Sequence, residues 1–301
     1  MIHVLALIGV IGISFSAVFV RLASVSPVTA TFYRAAYAAP VLALLWTFKR
    51  RDDRRSRRER ALAFASGLIL AVDLALWHES IALVGAGLGT VIANVQVVFV
   101  AALAWALYGE RPSQRTLALI AAVLAGVALT SGLARPDAYG ASPMAGVAFG
   151  LGSGVCYAAF LLVFRASNRS LAPTAGPLLD STLGTVVGAL GLALFDRHFA
   201  FAPVWPAHGW LIMLALVSQV FGWMLIAAAL PRLPAVETSV LLLGQPVCSV
   251  LWGVVFFAER LSPLQWSGAA IVLAGVVSVN WIGVRTRRQP PPEPEELITN
   301  P

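Results

Sequence analysis

One stretch of this sequence occurs twice. Residues 86–127, AGLGTVIANVQVVFVAALAWALYGERPSQRTLALIAAVLAGV, superpose on residues 235–276, AVETSVLLLGQPVCSVLWGVVFFAERLSPLQWSGAAIVLAGV, at an offset of 149. The offset carries Ala86 onto Ala235, Gln96 onto Gln245, Glu110-Arg111 onto Glu259-Arg260 and Ser113 onto Ser262. It also carries Val123-Leu124-Ala125-Gly126-Val127 onto the run from Val272 to Val276. Each copy is an apolar run, a short charged corner and a second apolar run. Each run has the length of about twenty residues that a helix needs to cross hydrocarbon about 30 Å thick. Inside lipid a helix satisfies its own backbone, so the repeated unit reads as a helical hairpin that crosses a bilayer twice.

Composition removes the soluble alternatives. The 301 residues are 59% hydrophobic and 12% charged, against about 25% charged in soluble domains, and mean hydropathy is +0.83. The net charge of +7 sits in loops beside apolar segments, which marks orientation and a weak attraction to anionic lipid. It does not mark nucleic-acid binding. Cys156 and Cys248 lie inside apolar segments as small packing residues, and no disulfide framework is expected. The first apolar run has no basic flank and no small-residue cleavage site, so it is read as a retained helix.

Ten spans are predicted: 2–22, 27–48, 61–83, 87–108, 114–134, 144–164, 172–195, 207–230, 236–257 and 263–284. Residues 49–60, KRRDDRRSRRER, are too charged to enter the membrane, and the Pro-rich polar tail is predicted to be disordered. With the N-terminus in the cytoplasm, sixteen Lys and Arg fall in cytoplasmic loops and four, Arg21, Arg135, Arg197 and Arg260, on the opposite face. That asymmetry predicts both termini inside. An odd number of spans per half inverts the second repeat relative to the first. A second correspondence, at an offset of 146, sets Pro27 on Pro173 and Arg34 on Asp180. The expected fold is an all-α polytopic membrane protein of ten transmembrane helices in two inverted five-helix repeats. The first repeat covers 1–134, a linker 135–143, the second repeat 144–284 and a disordered cytoplasmic tail 285–301. Inverted repeats are typical of secondary transporters, with the substrate near the midplane between halves.

With GERPS and AERLS closing spans four and nine and LAGV in spans five and ten, the chain resembles the EamA family of the drug/metabolite transporter superfamily. The resemblance covers residues 4–284. It implies a cytoplasmic-membrane exporter of amino acids or other small metabolites, with a central cavity walled by the first four helices of each half. It also implies that spans five and ten pack outside that cavity, at a surface where a homodimer can form, so monomer and homodimer both stay open. Family members often carry Pro in the middle of both repeated helices. Here Gln245-Pro246 keeps it and Gln96-Val97 does not.

An ionisable side chain inside a membrane costs about 2.5–3.5 kcal/mol on insertion scales and normally faces a cavity or a partner. The interior set is Arg34, Asp73, His78, Glu79 and Asp180, with Glu237 at a helix end. At about 1.5 Å per residue, Arg34 lies roughly 10 Å in from the outer face, so depth allows a pair with Glu79; Asp180 lies roughly 12 Å from the cytoplasmic side. Asp73, Trp77 and Ser80 share one helical stripe. An acid one turn from an aromatic suits a substrate with an amine and an apolar body. Asp73 can bind that amine, accept a coupling proton, or simply take an interhelical hydrogen bond. His78 can couple transport to protons or anchor an interface. Arg34 can hold a structural salt bridge or a substrate carboxylate. Asn94, Gln96 and Gln245 can hydrogen-bond substrate or hold helices together. Trp105, Trp223 and Trp252 can line the cavity or face lipid, and Tyr157 in span six is a weaker candidate.

No cofactor or metal site is expected. GLGSG at 150–154 follows no strand and reads as a small-residue packing face with Gly146, and His78-Glu79 lacks the second His of a zinc motif. The Glu-Arg corners read as helix caps. The expected function is alternating-access export of a small molecule, with or without proton coupling. The alternatives are a lipid-modifying membrane enzyme, which needs a cluster of acids, bases or ligands not seen here, and a facilitative channel. Specificity is expected in span three around Asp73, Trp77 and His78, which the second half is not expected to repeat.

Overall fold

The computed structural model describes residues 2–109, 111–130, 143–168, 173–202, 204–258 and 262–286, and these are helical with no strand among them. The elements are α1 (Ile2–Ser14), α2 (Ser16–Ala23), α3 (Pro27–Lys49), α4 (Arg57–Asn94), α5 (Gln96–Tyr108), α6 (Gln114–Thr130) and α7 (Pro143–Ala166). They continue with α8 (Ala175–Ala193), α9 (Ala207–Met213), a π-helix (Leu214–Gly222), α10 (Trp223–Ala229), α11 (Ala235–Leu242), α12 (Gly244–Phe257) and α13 (Pro263–Thr286). Seven helical stretches are long and apolar enough to cross a membrane: Ile2–Ala23, Pro27–Lys49, Arg57–Ser80, Met144–Ala166, Ala175–Ala193, Ala207–Arg232 and Ala235–Phe257. Shorter apolar helices run over Ile92–Tyr108, Gln114–Leu129 and Trp266–Gly275. Glu110, Glu259 and Arg260 of the expected corner caps, most of the linker, and the tail beyond 286 lie outside the described residues.

One predicted boundary is wrong. The turn expected between spans three and four, at 84–86, is absent, and α4 runs unbroken from Arg57 to Asn94. The segment IALVGAGLGTV contains Gly85, Gly87 and Gly89 but no Pro and no charge. Glycine costs only about 1 kcal/mol against Ala in a helix, whereas an open turn in an apolar medium leaves several backbone groups unpaired. The break falls later, at Val95, where the chain restarts as α5; α11 and α12 are divided the same way at Leu243. Gln96 and Gln245 therefore lie in the first turns of the segments that follow these breaks.

Helix starts and stops follow from local chemistry. Ser26 caps α3, its Oγ accepting from Thr29 N at 3.3 Å, with Pro27 as the first helical residue. Ser56 and Glu59 form a reciprocal capping box at the start of α4, with bonds of 3.2 and 2.8 Å. At the ends of α5 and α12 the equivalent residues Gly109 and Ala258 both turn left-handed, with φ of +69° and +53°.

The helices approach closely where side chains are small. A methyl at Gly67 would fall on the Ser181 carbonyl and one at Gly184 on the Phe64 carbonyl, so α4 and α8 touch backbone to backbone. Ser66 donates to, or accepts from, Ser181 across the crossing at 3.0 Å, and Thr185 donates to the Gly67 carbonyl at 3.2 Å. Helices α6 and α13 pack together, with the repeat-equivalent Val123 and Val272 both fully buried between them. Along one side of the bundle α4 lies against α7, where Ser80 donates to the Gly146 carbonyl at 2.8 Å and Gly150 faces Ile92 and Ser80. This is the small-residue face expected from the sequence.

Candidate functional site

The deepest polar cluster gathers side chains from five helical elements. Asp73 on α4 is 4% exposed, and its Oδ1 accepts from Ser153 Oγ of α7 at 2.7 Å. Arg34 on α3 donates through Nε to Gln219 Oε1 of the π-helix at 2.7 Å. Gln219 Nε2 in turn donates to Thr182 Oγ1 of α8 at 3.2 Å. Gln219 and Thr182 are 3% and 0% exposed. Arg34 is hydrogen-bonded to Gln219 and Asp73 to Ser153, and neither bonds the other. The centre thus holds a guanidinium and a carboxyl group that do not close into an ion pair. These two groups come from the first half of the chain, and Ser153, Thr182 and Gln219 come from the second.

The structure distributes the other predicted residues around this centre. Trp77 is half-buried, one turn from Asp73 and beside the His78 ring at 4.9 Å. His78 itself points elsewhere. Five residues from Asp73 is about 140° around a helix, and His78 lies beside Thr31, Ala75 and Leu192. Its Nδ1 lies 2.6 Å from the Leu74 carbonyl; a carbonyl only accepts, so that nitrogen carries the proton. Glu79 is exposed, and the Arg34–Glu79 pair allowed by depth is replaced by Arg34–Gln219. Asn94 and Gln245 are half-buried at the helix breaks. Gln96 is 4% exposed, with its Oε1 buried and unpartnered among the described residues. Trp105 faces outward at 53% exposure, Trp223 packs edge-on against Phe160 at 5.2 Å, and Trp252 donates to Ser14 Oγ at 2.7 Å.

Asp180 belongs to a separate cluster at the end of the bundle carrying the basic loop. Its Oδ2 lies 3.0 Å from Arg55 Nη1 and 3.3 Å from Arg60 Nε. Arg55, whose side chain is 1% exposed, also grips Asp53 through Nε and Nη2, each at 2.9 Å, and Trp46 Nε1 donates to Asp53 Oδ2 at 2.9 Å. Burial alone would raise the Asp53 carboxyl, but the hydrogen bonds from Arg55 and Trp46 and the guanidinium charge hold it at about 2. At the same end His3 of α1 meets Glu237 of α11 at 3.3 Å. At the opposite end residues 194–202 and α9 are tied to α3 and its cap. Ser26 donates to Asp196 at 2.8 Å, Ala200 N donates to Thr29 Oγ1 at 2.9 Å, Tyr33 donates to the Phe201 carbonyl and Tyr37 meets His208.

Sequence reasoning missed Gln219, Thr182 and Ser153. The offset of 146 that pairs Arg34 with Asp180 also sets Asp73 on Gln219 and Trp77 on Trp223. At these positions the second half carries an amide where the first has an acid, and keeps the aromatic. Extending that offset beyond the first helix would have found Gln219. Among the described residues no group of three His, Cys, Asp or Glu is placed to hold a metal ion.

The profile of the EamA-like transporter family matches residues 1–132 and 144–281. The chain belongs to this family. It is a multi-pass membrane transporter and not an enzyme. The uncharacterized transporter YwfM of Bacillus subtilis is 26% identical over 223 residues, 73% of each chain. The threonine/homoserine exporter RhtA of Escherichia coli K12 is 26% identical over 240 residues, 79% of this chain and 77% of that one. A solved crystal structure superposes with a TM-score of 0.78 at 17% identity, covering 96% of this chain and 99% of the other, and so shares the fold.

Proposed function

We propose that this EamA-family chain is a secondary-active exporter of small metabolites that carry both charges, amino acids among them, with Arg34 and Asp73 as the two poles of its site. The observation that carries the reading is the separation of those poles. A guanidinium and a carboxylate are held by Gln219 and by Ser153 and are left unpaired with each other, inside an apolar bundle where isolated charge is costly. A zwitterion bound between them offers each charge a partner. A relative 26% identical is named for export of threonine and homoserine, which fits that chemistry.

Ten spans in two inverted repeats, both ends cytoplasmic, follow from the repeats and the Lys/Arg distribution. In this arrangement the Arg55–Asp180 and His3–Glu237 contacts close the cytoplasmic end. The ties from Ser26, Thr29 and Tyr33 to residues 194–202 close the outer end. Each set joins the first half to the second, and alternating access opens one set at a time. Asp73 is the candidate proton carrier, since His78 lies outside the centre. The test is counterflow of labelled L-threonine in vesicles containing equal amounts of wild type and Asp73→Asn. Saturable flux in the wild type, reduced at least tenfold in the variant, is expected; equal flux in both removes Asp73 from the site. A facilitator is the second reading, favoured by the location of His78. Dissipating the pH gradient abolishes accumulation in the coupled carrier and leaves equilibration unchanged in the facilitator.

A further inference from the structure

The geometry points to Gln219 as the positioning residue that selects how Arg34 grips an anionic group, and this rests on the proposed site. A guanidinium offers a planar fork of five N–H donors with two ways to take a carboxylate. One is side-on, through Nε and the nearer Nη; the other is end-on, through the two Nη groups. Gln219 Oε1 occupies Nε at 2.7 Å, which closes the side-on approach and leaves the end-on edge. The amide cannot reverse freely, because its Nε2 is committed to Thr182 Oγ1 at 3.2 Å. A flip would turn an N–H toward the guanidinium and an oxygen toward Thr182.

The backbone beneath this residue supports the assignment. Gln219 sits in the nine-residue π-helix Leu214–Gly222, where widened turns alter which residues face inward. Its neighbour Ser218 donates to the Gly12 carbonyl of α1 at 3.2 Å, so consecutive side chains reach α1 on one side and α3 with α8 on the other. The repeat relation gives the same answer. Gln219 stands where the first half has Asp73, and a carboxylate there would pair with Arg34 and remove its charge from the site. The amide holds the guanidinium without neutralising it.

The experiment measures L-threonine counterflow for wild type, Gln219→Leu, Thr182→Val and Thr182→Ser, with L-threoninol, which lacks the carboxylate, as a competitor. Loss of a hydrogen bond to a charged group predicts a rise in KM of about tenfold for Gln219→Leu, with maximal rate within about twofold of wild type. Thr182→Val moves KM in the same direction by a smaller factor, Thr182→Ser keeps the wild-type value, and the preference for threonine over threoninol shrinks in Gln219→Leu and Thr182→Val. An unchanged KM in Gln219→Leu, or a loss confined to maximal rate, overturns the role. A second measurement separates this inference from the transport reading. The rate at which phenylglyoxal modifies Arg34 in purified protein, read by peptide mass, should change in Gln219→Leu and Thr182→Val but not in Thr182→Ser. If wild type shows no threonine flux, the proposed substrate fails while this rate still judges the clamp. Equal rates in all four proteins overturn the clamp itself.

Discussion

At the scale of single residues, the two repeats solve one stop problem differently. Helices α5 and α12 both end on a left-handed residue, glycine at 109 and alanine at 258. A side chain with a Cβ in that conformation costs about 1–2 kcal/mol. Ala258→Gly should therefore raise the melting temperature in detergent by about 2 °C, and Gly109→Ala should lower it by a similar amount. A null or reversed result for Ala258→Gly would mean that its Cβ makes packing worth more than the strain. Residue-level chemistry was legible in the sequence where it contrasted with its surroundings. Asp73 and Arg34 stand out as charges in apolar runs, and the structure brings both to the polar centre. Gln219 did not stand out, because a neutral amide in LVSQVFG has little polarity contrast. Its role depends on a π-helix and on partners from helices distant in sequence. Ser153 was invisible for a related reason: inside a small-residue face, a serine that packs and one that donates to a carboxylate read alike.

At the scale of elements, the basic loop is more than a solvated orientation signal. Of the run from Lys49 to Arg60, Arg55 turns inward to bridge Asp53 and Asp180, while Arg50, Arg51, Arg54, Arg57 and Arg58 stay exposed. Charge counting cannot sort these arginines, because the sorting depends on Asp180 arriving from α8. The same limit misplaced the turn at 84–86, where a glycine-rich run reads as a loop until the cost of unpaired backbone in lipid is weighed. The folded loop has a titration consequence. Asp53 is held at about 2 against an ordinary 3.8. Its folded value is depressed, so its contribution to stability is complete above about pH 4 and is lost as pH falls toward 2. Melting temperature measured from pH 5 to pH 2.5 should fall, and Asp53→Asn should start lower and show a smaller fall. Parallel curves for the two proteins would show that Asp53 does not report on this loop.

At the scale of the whole molecule, what matters is which contacts must break for a bound solute to leave. The repeat pointed to a recurring helical frame, because Glu-Arg corners and LAGV runs occur in both halves. The closures at the two ends were not readable, since each joins residues more than 100 positions apart, such as Ser26 with Asp196 and Arg55 with Asp180. These closures make alternating access testable by constraint. With Cys156 and Cys248 replaced by Ser, cysteines at positions 26 and 196 can be joined by a short, reducible thiol crosslinker, because the native side chains meet at 2.8 Å. Crosslinking should abolish L-threonine counterflow, and reduction should restore it to the level of the uncrosslinked double variant. Each single-cysteine variant should be insensitive to the reagent. A crosslinked protein that still turns over would mean that residues 194–202 stay on α3 throughout the cycle and that the Ser26–Asp196 contact does not gate release.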